Sequence, residues 1–201
     1  AWRLILRNGL PVLGGSFGQT LAFRADRLVL GVLTASAALG VFSVAATTAE
    51  LPRLLLLPVT QILANRVAAG EILVRSVTRL VARLMFGYAA FMVVVGAVGA
   101  SLVLPIVGDE FGAVRDSIAV LALGEALLGS YFVSVAVLTG LGRFHLLPLP
   151  AIGGAAVILV ADILVVPDHG ALGAAWVRVA GFAIMGILGV MSMFVALRSE
   201  K

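Results

Sequence analysis

The chain has 201 residues, 62% hydrophobic and 12% charged, with a net charge of +4 and a mean hydropathy of +1.17. A soluble domain carries about a quarter charged residues, so these values exclude an ordinary soluble domain and point to an all-α, polytopic membrane bundle. Zero cysteines exclude a disulfide scaffold and a thiolate metal site, and with so few charges the basic pI is no sign of nucleic-acid binding.

A span needs about 20 mostly apolar residues. Six are predicted, over roughly 9–33, 37–64, 83–106, 114–139, 146–166 and 171–196, together forming one unit over 1–201. In the first, Ser16, Thr20, Arg24, Arg27, Gly31 and Thr34 fall within an arc of about 80° at about 100° per residue. Asp26 lies far round the wheel from Arg24, and off to one side of Arg27. Lipid does not tolerate such a stripe, so it faces water or a neighbouring helix, and its outstanding charge is positive.

The second span repeats the pattern. Ser43, Thr47, Glu50, Gln61 and Asn65 share one face, with Arg53 beside it. Pro52 and Pro58 interrupt the same helix and allow a bend. Two adjacent polar stripes argue for an aqueous cavity; the alternative is a set of structural ion pairs. The basic stretch 65–83 is expected to lie along the inner surface, either as a topology-setting loop or as a lipid contact.

Glu125 sits in the middle of the fourth span. It suits proton coupling, or else pairs with an arginine of another helix. Between the last two spans, Pro167-Asp168-His169-Gly170 reads as a tight turn. Asp162 and Arg178 flank it from within the membrane and are expected to pair. Gly14, Gly18, Gly181, Gly186 and Gly189 read as close helix packing. His145 and His169 make no metal site.

With the N-terminus in the cytoplasm, Arg3, Arg7, Arg66, Arg75, Arg79, Arg83, Arg143, Arg198 and Lys201 gather on one side. Arg115 stands on the other, among Asp109, Glu110 and Asp116. That bias places both termini in the cytoplasm. Trp2 and Trp176 fall near opposite interfaces. The chain starts at Ala1 without a methionine, and is expected to be a piece of a longer protein. There is no GxSxG, HExxH, acidic metal cluster or Walker lysine, so neither an enzyme nor a cofactor is expected.

DRLVLGVLTASAALGVFSVAATTAELP, from Asp26, resembles the start of the second half of polysaccharide flippases of the multidrug/oligosaccharidyl-lipid/polysaccharide exporter superfamily. VGDEFGAVRDSIAVLAL from Val107, LTGLGRFH from Leu138 and ADILVVPDHGALGAAWV from Ala161 resemble further segments of that family, in the same order and spacing. Asp162 departs from it, standing where the family commonly has Asn. The resemblance implies one six-helix lobe, the C-terminal one, of a two-lobe, antiporter-like transporter of the bacterial inner membrane. Its substrate would be an undecaprenyl-pyrophosphate-linked oligosaccharide, with protons or sodium as coupling ion and an N-terminal lobe or second chain as the opposite wall.

On this resemblance Arg24 and Arg27 attract the pyrophosphate, and Thr20, Glu50 and Arg53 line the substrate path. Asp26 pairs with a base on a neighbouring helix or serves, with Glu125, in ion coupling. The alternatives are a multidrug cation exporter of the same superfamily, a non-transporting membrane scaffold, and a membrane-embedded transferase, which lacks its metal-binding acids.

Overall fold

A computed structural model describes residues 2–34, 36–71, 74–107 and 112–199, and these form an all-α bundle. The helices are α1 (Trp2–Leu33), α2 (Ser36–Glu50), α3 (Arg53–Ala68), α4 (Val74–Val107), α5 (Gly112–Gly140) and α6 (Pro148–Arg198), with a short 3₁₀ turn at Phe144–Leu146 before α6. By length and apolar composition, three helical segments can cross a membrane: Val77–Gly99, Val114–Gly140 and Phe144–Arg198. The bent pair α2–α3 meets the same measure only when its two helices are counted as one span. The chain is therefore a helical membrane protein. α1 is long enough at 32 residues, but its polar stripe makes it too hydrophilic to join them.

The predicted breaks have physical causes. α1 ends at Leu33, its last turn closed by the N–H of Thr34 on Leu30 O at 3.0 Å. The second span is two helices bent by 42° at Leu51–Pro52. Pro52 has no N–H to continue the α-helical ladder, and the chain restarts with tighter bonds from Leu54 N to Leu51 O and from Leu55 N to Pro52 O. Pro58, by contrast, stays inside α3. The stretch 65–83 falls on two helices. α3 runs on to Ala68, Gly70 turns the chain at φ 69°, and the basic residues from 74 onward form the first turns of the 34-residue α4. The acidic Asp109 and Glu110 lie outside the described residues. So do Ala1 and Lys201, the side chains of Trp2, Arg3 and Arg75 included.

α6 is a hairpin. Its helix is broken at Gly170, whose φ of 53° and ψ of −136° suit glycine alone. The two arms, 148–169 and 171–198, fold back on each other through Gly154 and Gly181. A Cβ on Gly154 would lie 2.9 Å from the Gly181 carbonyl and collide with Met185, and one on Gly181 would collide with Ile158. Small residues let two helices approach this closely where lipid supplies no hydrophobic drive between them. This register sets Asp162 level with Val177 and Arg178.

The remaining contacts fix the directions. α1 runs parallel to the first arm of α6, with Gly15 against Leu147 and Gly18 against Ile152. α5 runs antiparallel to α4 (Gly129 on Tyr88, Gly96 on Ala122) and parallel to α6's second arm (Gly124 on Val179, Gly189 on Ser134). Apolar layers stack along the bundle. One, around Leu30, Phe42, Ile118 and Val166, lies at the Thr34 and Gly170 end. Tyr131, Phe132, Ile158 and Phe182 form the middle layer. Leu63, Val67, Val137 and Leu197 close the other end. Arg7, Arg66, Arg79, Arg83, Arg143 and Arg198 share this last end, and Arg115 lies at the first.

Candidate functional site

Between the first and middle layers every helix except α4 contributes a charge. α1 buries Gly15, Gly18, Ala22, Ala25, Asp26 and Leu30. Ser16, Thr20, Arg24, Arg27, Gly31 and Thr34 are all left unburied, so the periodicity of the stripe describes a real face of the helix. On α2 and α3 the same holds for Ser43, Thr47, Glu50, Gln61 and Asn65. The bend at Pro52 parts that second stripe. Ser43, Thr47 and Glu50 belong to α2, and Gln61 and Asn65 to α3.

A groove of about 340 Å³ opens between α1 and the α2–α3 bend. Its walls include Gln19 and Phe23 from α1, Thr47 and Glu50 from α2, and Arg53 from α3, with Phe132 of α5 at its floor. Thr20 lies one residue from this lining, on the exposed face, and its hydroxyl donates to Ser16 O at 2.9 Å. Its hydrogen is therefore spent on its own helix, while its oxygen can still accept.

Two ion clusters stand at the groove. In the first, Glu50 Oε1 accepts from Arg27 Nη2 at 3.0 Å and from Arg178 Nη2 at 2.7 Å. Arg178, which is 1% exposed, also sets Nε 3.1 Å from Asp26 Oδ2 and donates to Phe23 O at 3.4 Å. The other oxygen of Asp26, Oδ1, accepts from the backbone N–H of Arg27 at 2.7 Å. Phe182 and Phe42 flank the Arg178 guanidinium, with ring centroids at 5.1 and 5.8 Å. In the second cluster Arg53 makes a doubly hydrogen-bonded pair with Glu125, including Nε to Oε2 at 3.0 Å. Its guanidinium lies 4.3 Å from the centroid of Phe23, a cation–π distance. Charges at membrane depth are tolerated when paired in this way.

Of the residues singled out from sequence, Asp26, Arg27 and Glu50 come together in one cluster, and Arg53 and Glu125 in the other. Asp26 meets a base of another helix, and so does Glu125. Arg24 stays apart: its side chain is exposed and has no ion pair or hydrogen bond among the described residues. The positive charge expected at Arg27 is balanced by Glu50, which leaves Arg24 as the uncompensated cation of the α1 stripe. The expected Asp162–Arg178 pair does not form. Arg178 turns to Asp26 and Glu50, and Asp162, fully buried, has no partner for either oxygen among the described residues.

Sequence reasoning missed Gln19, Phe23 and Phe132 as groove residues, and it placed Arg178 in a hairpin pair. The adjacency of Phe23 to Arg24 was legible, but the stacking of Phe23 under Arg53 depends on how α1 and α3 are rotated. No cluster of metal-binding side chains occurs among the described residues. No family model matches the chain, and neither does any curated protein or solved structure.

Proposed function

We propose that this chain is the C-terminal lobe of a transporter that flips undecaprenyl-pyrophosphate-linked oligosaccharide across the bacterial inner membrane by alternating access. In this reading there are six spans: α1, the bent pair α2–α3, α4, α5 and the two arms of α6. Both termini are cytoplasmic, at the arginine-rich end. The observation that carries the reading is the groove walled by Gln19 and Phe23 of α1, Thr47 and Glu50 of α2 and Arg53 of α3, beside the unburied polar stripe of α1, polar surface that lipid alone would not solvate. A second lobe or chain is the natural opposite wall, and the exposed Arg24 supplies an anion-attracting group facing it. Arg27 and Arg53, bound to carboxylates, shape the groove. Thr20 and Gln19 offer polar atoms to sugar, and Asp26 and Glu125 are the carboxyl groups to which an arriving proton or sodium would have access by displacing an arginine.

A multidrug cation exporter needs an acid free to meet its substrate. The acid in the groove wall, Glu50, is held by two arginines, which favours the anionic substrate. The test is flux of a lipid-linked oligosaccharide into proteoliposomes that contain the product of the complete reading frame. Substrate-dependent flux that organic cations do not compete for supports the flippase. Cation efflux without sugar flux supports the exporter, and no flux of either kind supports the scaffold.

A further inference from the structure

Arg178 is the clamp of the first cluster. From the second arm of α6 it holds α1, through Asp26 and the carbonyl of Phe23, and α2, through Glu50. Its Nη1 and Nε are nevertheless buried without a hydrogen bond among the described residues, the approach of Nε to Asp26 Oδ2 being an ion contact alone. Asp162, on the opposite arm of the same hairpin, presents two buried oxygens without a donor. Each is the chemical complement of the other, each loses free energy by going unmatched, and they lie near enough to feel each other's charge. The hairpin register, with Gly154 against Met185 and Ile158 against Gly181, puts them near one level.

We propose that Asp162 is the second docking place of the Arg178 guanidinium, and that moving Arg178 onto it removes the ion-pair latch between the groove walls and the second arm of α6. In the state described here Arg178 ties α1 and α2 to α6. On Asp162 it would join only the two arms of the hairpin. Asp26 would keep the backbone N–H of Arg27, and Glu50 would keep the Arg27 side chain, so α1 and α2 stay tied to each other; α1 stays packed on the first arm of α6 through Gly15 and Gly18, while α2 loses its ion pair to the second arm. The break at Pro52 lies two residues beyond Glu50, where a freed α2 can pivot against α3, itself held to α5 by Arg53 and Glu125. The charged groups around this movement are Asp26 and Arg27 on α1, Glu50 on α2, Arg53 on α3, Glu125 on α5 and Asp162 with Arg178 on α6. Any ligand or ion that neutralises Asp26 or Glu50 shifts Arg178 toward Asp162, since a ligand moves an equilibrium by its preference between states. Asp162 acts here as a positioning residue.

The absence of cysteine permits a direct test on the complete protein in lipid nanodiscs. Spin labels at Gly40→Cys on α2 and Leu172→Cys on the second arm of α6, both exposed, report the separation of the two elements by pulsed dipolar spectroscopy. The latch requires two distance populations in otherwise unmodified protein. Asp162→Asn should deplete the longer one about tenfold relative to the shorter, and Glu50→Gln should enrich it. A single population in the protein without the Asp162 change overturns the proposal, whatever the variants do. An Asp162→Asn protein that melts earlier but keeps both populations overturns it too, since that is the behaviour of a merely structural residue. If Asp162→Asn does not fold, Asp162→Ser replaces it with the same expectations. The proposal goes beyond the flippase reading. Two populations without oligosaccharide flux would sink that reading and leave the latch standing.

Discussion

Arg53 and Glu125 face each other across α3 and α5 as a doubly hydrogen-bonded pair, Arg53 Nε donating to Glu125 Oε2 at 3.0 Å. Arg53 sits immediately after the helix break, so the pair fixes where α3 begins relative to the centre of the bundle. Glu50, immediately before the break, is fixed instead to α1 and α6. The two sides of one proline are thereby anchored to different parts of the molecule.

That division gives the first prediction. Glu125→Leu strands the Arg53 charge and should lower stability by about 3–5 kcal/mol, as loss of one partner of a buried pair does. The double variant Arg53→Met with Glu125→Leu should recover most of the loss, since a buried ion pair is itself worth little against well-packed apolar side chains. A double-variant cycle on purified protein, unfolded by denaturant in detergent, measures the coupling. Additive losses would mean that the pair contributes nothing as a pair.

A second prediction concerns the α6 hairpin. Gly181→Leu drives a side chain into Ile158 and the Gly154 backbone and should cost about 1–3 kcal/mol or more, as overpacking of a tight contact does. Gly9→Ala has open space around its new methyl and should be neutral, or stabilising by up to about 1 kcal/mol through helix propensity. Unfolding midpoints of the two variants against the parent decide it. Equal effects would deny that the arms pack through glycine.

Third, the polar stripes should be wet. Single cysteines at Thr20, Arg24 and Thr47 should react with a membrane-impermeant thiol reagent in intact vesicles. Cysteines at Phe86 and Val94 of α4, both exposed apolar positions, should react slowly, because a thiol in hydrocarbon is not ionised and meets no reagent. Equal and slow labelling at all five positions would turn the stripes into lipid-buried ion pairs and remove the cavity.

Much of this was legible in the chain. Periodicity placed Ser16, Thr20 and Arg24 off the buried face of α1, where the small residues Gly15, Gly18, Ala22 and Ala25 pack, but Leu13, Phe17, Leu28 and Val32 are exposed as well. The turns announced themselves through backbone chemistry, at Pro52 and Gly170. The partner of Arg178 did not. Proximity across a hairpin favoured Asp162, but α1 and α2 also pack on α6, and Asp26 and Glu50 offer the same guanidinium more oxygens than Asp162 alone. Which acids reach an arginine depends on helix rotations across long sequence separations, and no local pattern encodes them. The same ignorance hid Phe23 beneath Arg53 and the continuation of the basic segment as the start of α4.

The last prediction separates two arginines one turn apart on α1. Arg27 gives its Nη2 to Glu50, whereas Arg24 is exposed without a partner among the described residues. Arg24→Ala should therefore leave unfolding unchanged to within about 0.5 kcal/mol, as surface substitutions do. It should weaken apparent affinity for a pyrophosphate-linked oligosaccharide by about tenfold or more, the worth of one charge-assisted hydrogen bond. Arg27→Ala should behave differently. It removes one of the two donors on Glu50 and should cost about 1–3 kcal/mol of stability, with any loss of flux following from the disturbed groove. Arg24→Lys keeps the charge but loses the planar fork, so it should restore part of the affinity and little of the bidentate specificity. Titration of flux against substrate for the three variants, beside their unfolding curves, is the measurement. If Arg24→Ala transports like the parent, the anion site is elsewhere. If Arg27→Ala loses affinity while keeping full stability, Arg27 leaves Glu50 to bind substrate, and the cation of the α1 stripe has been assigned to the wrong residue.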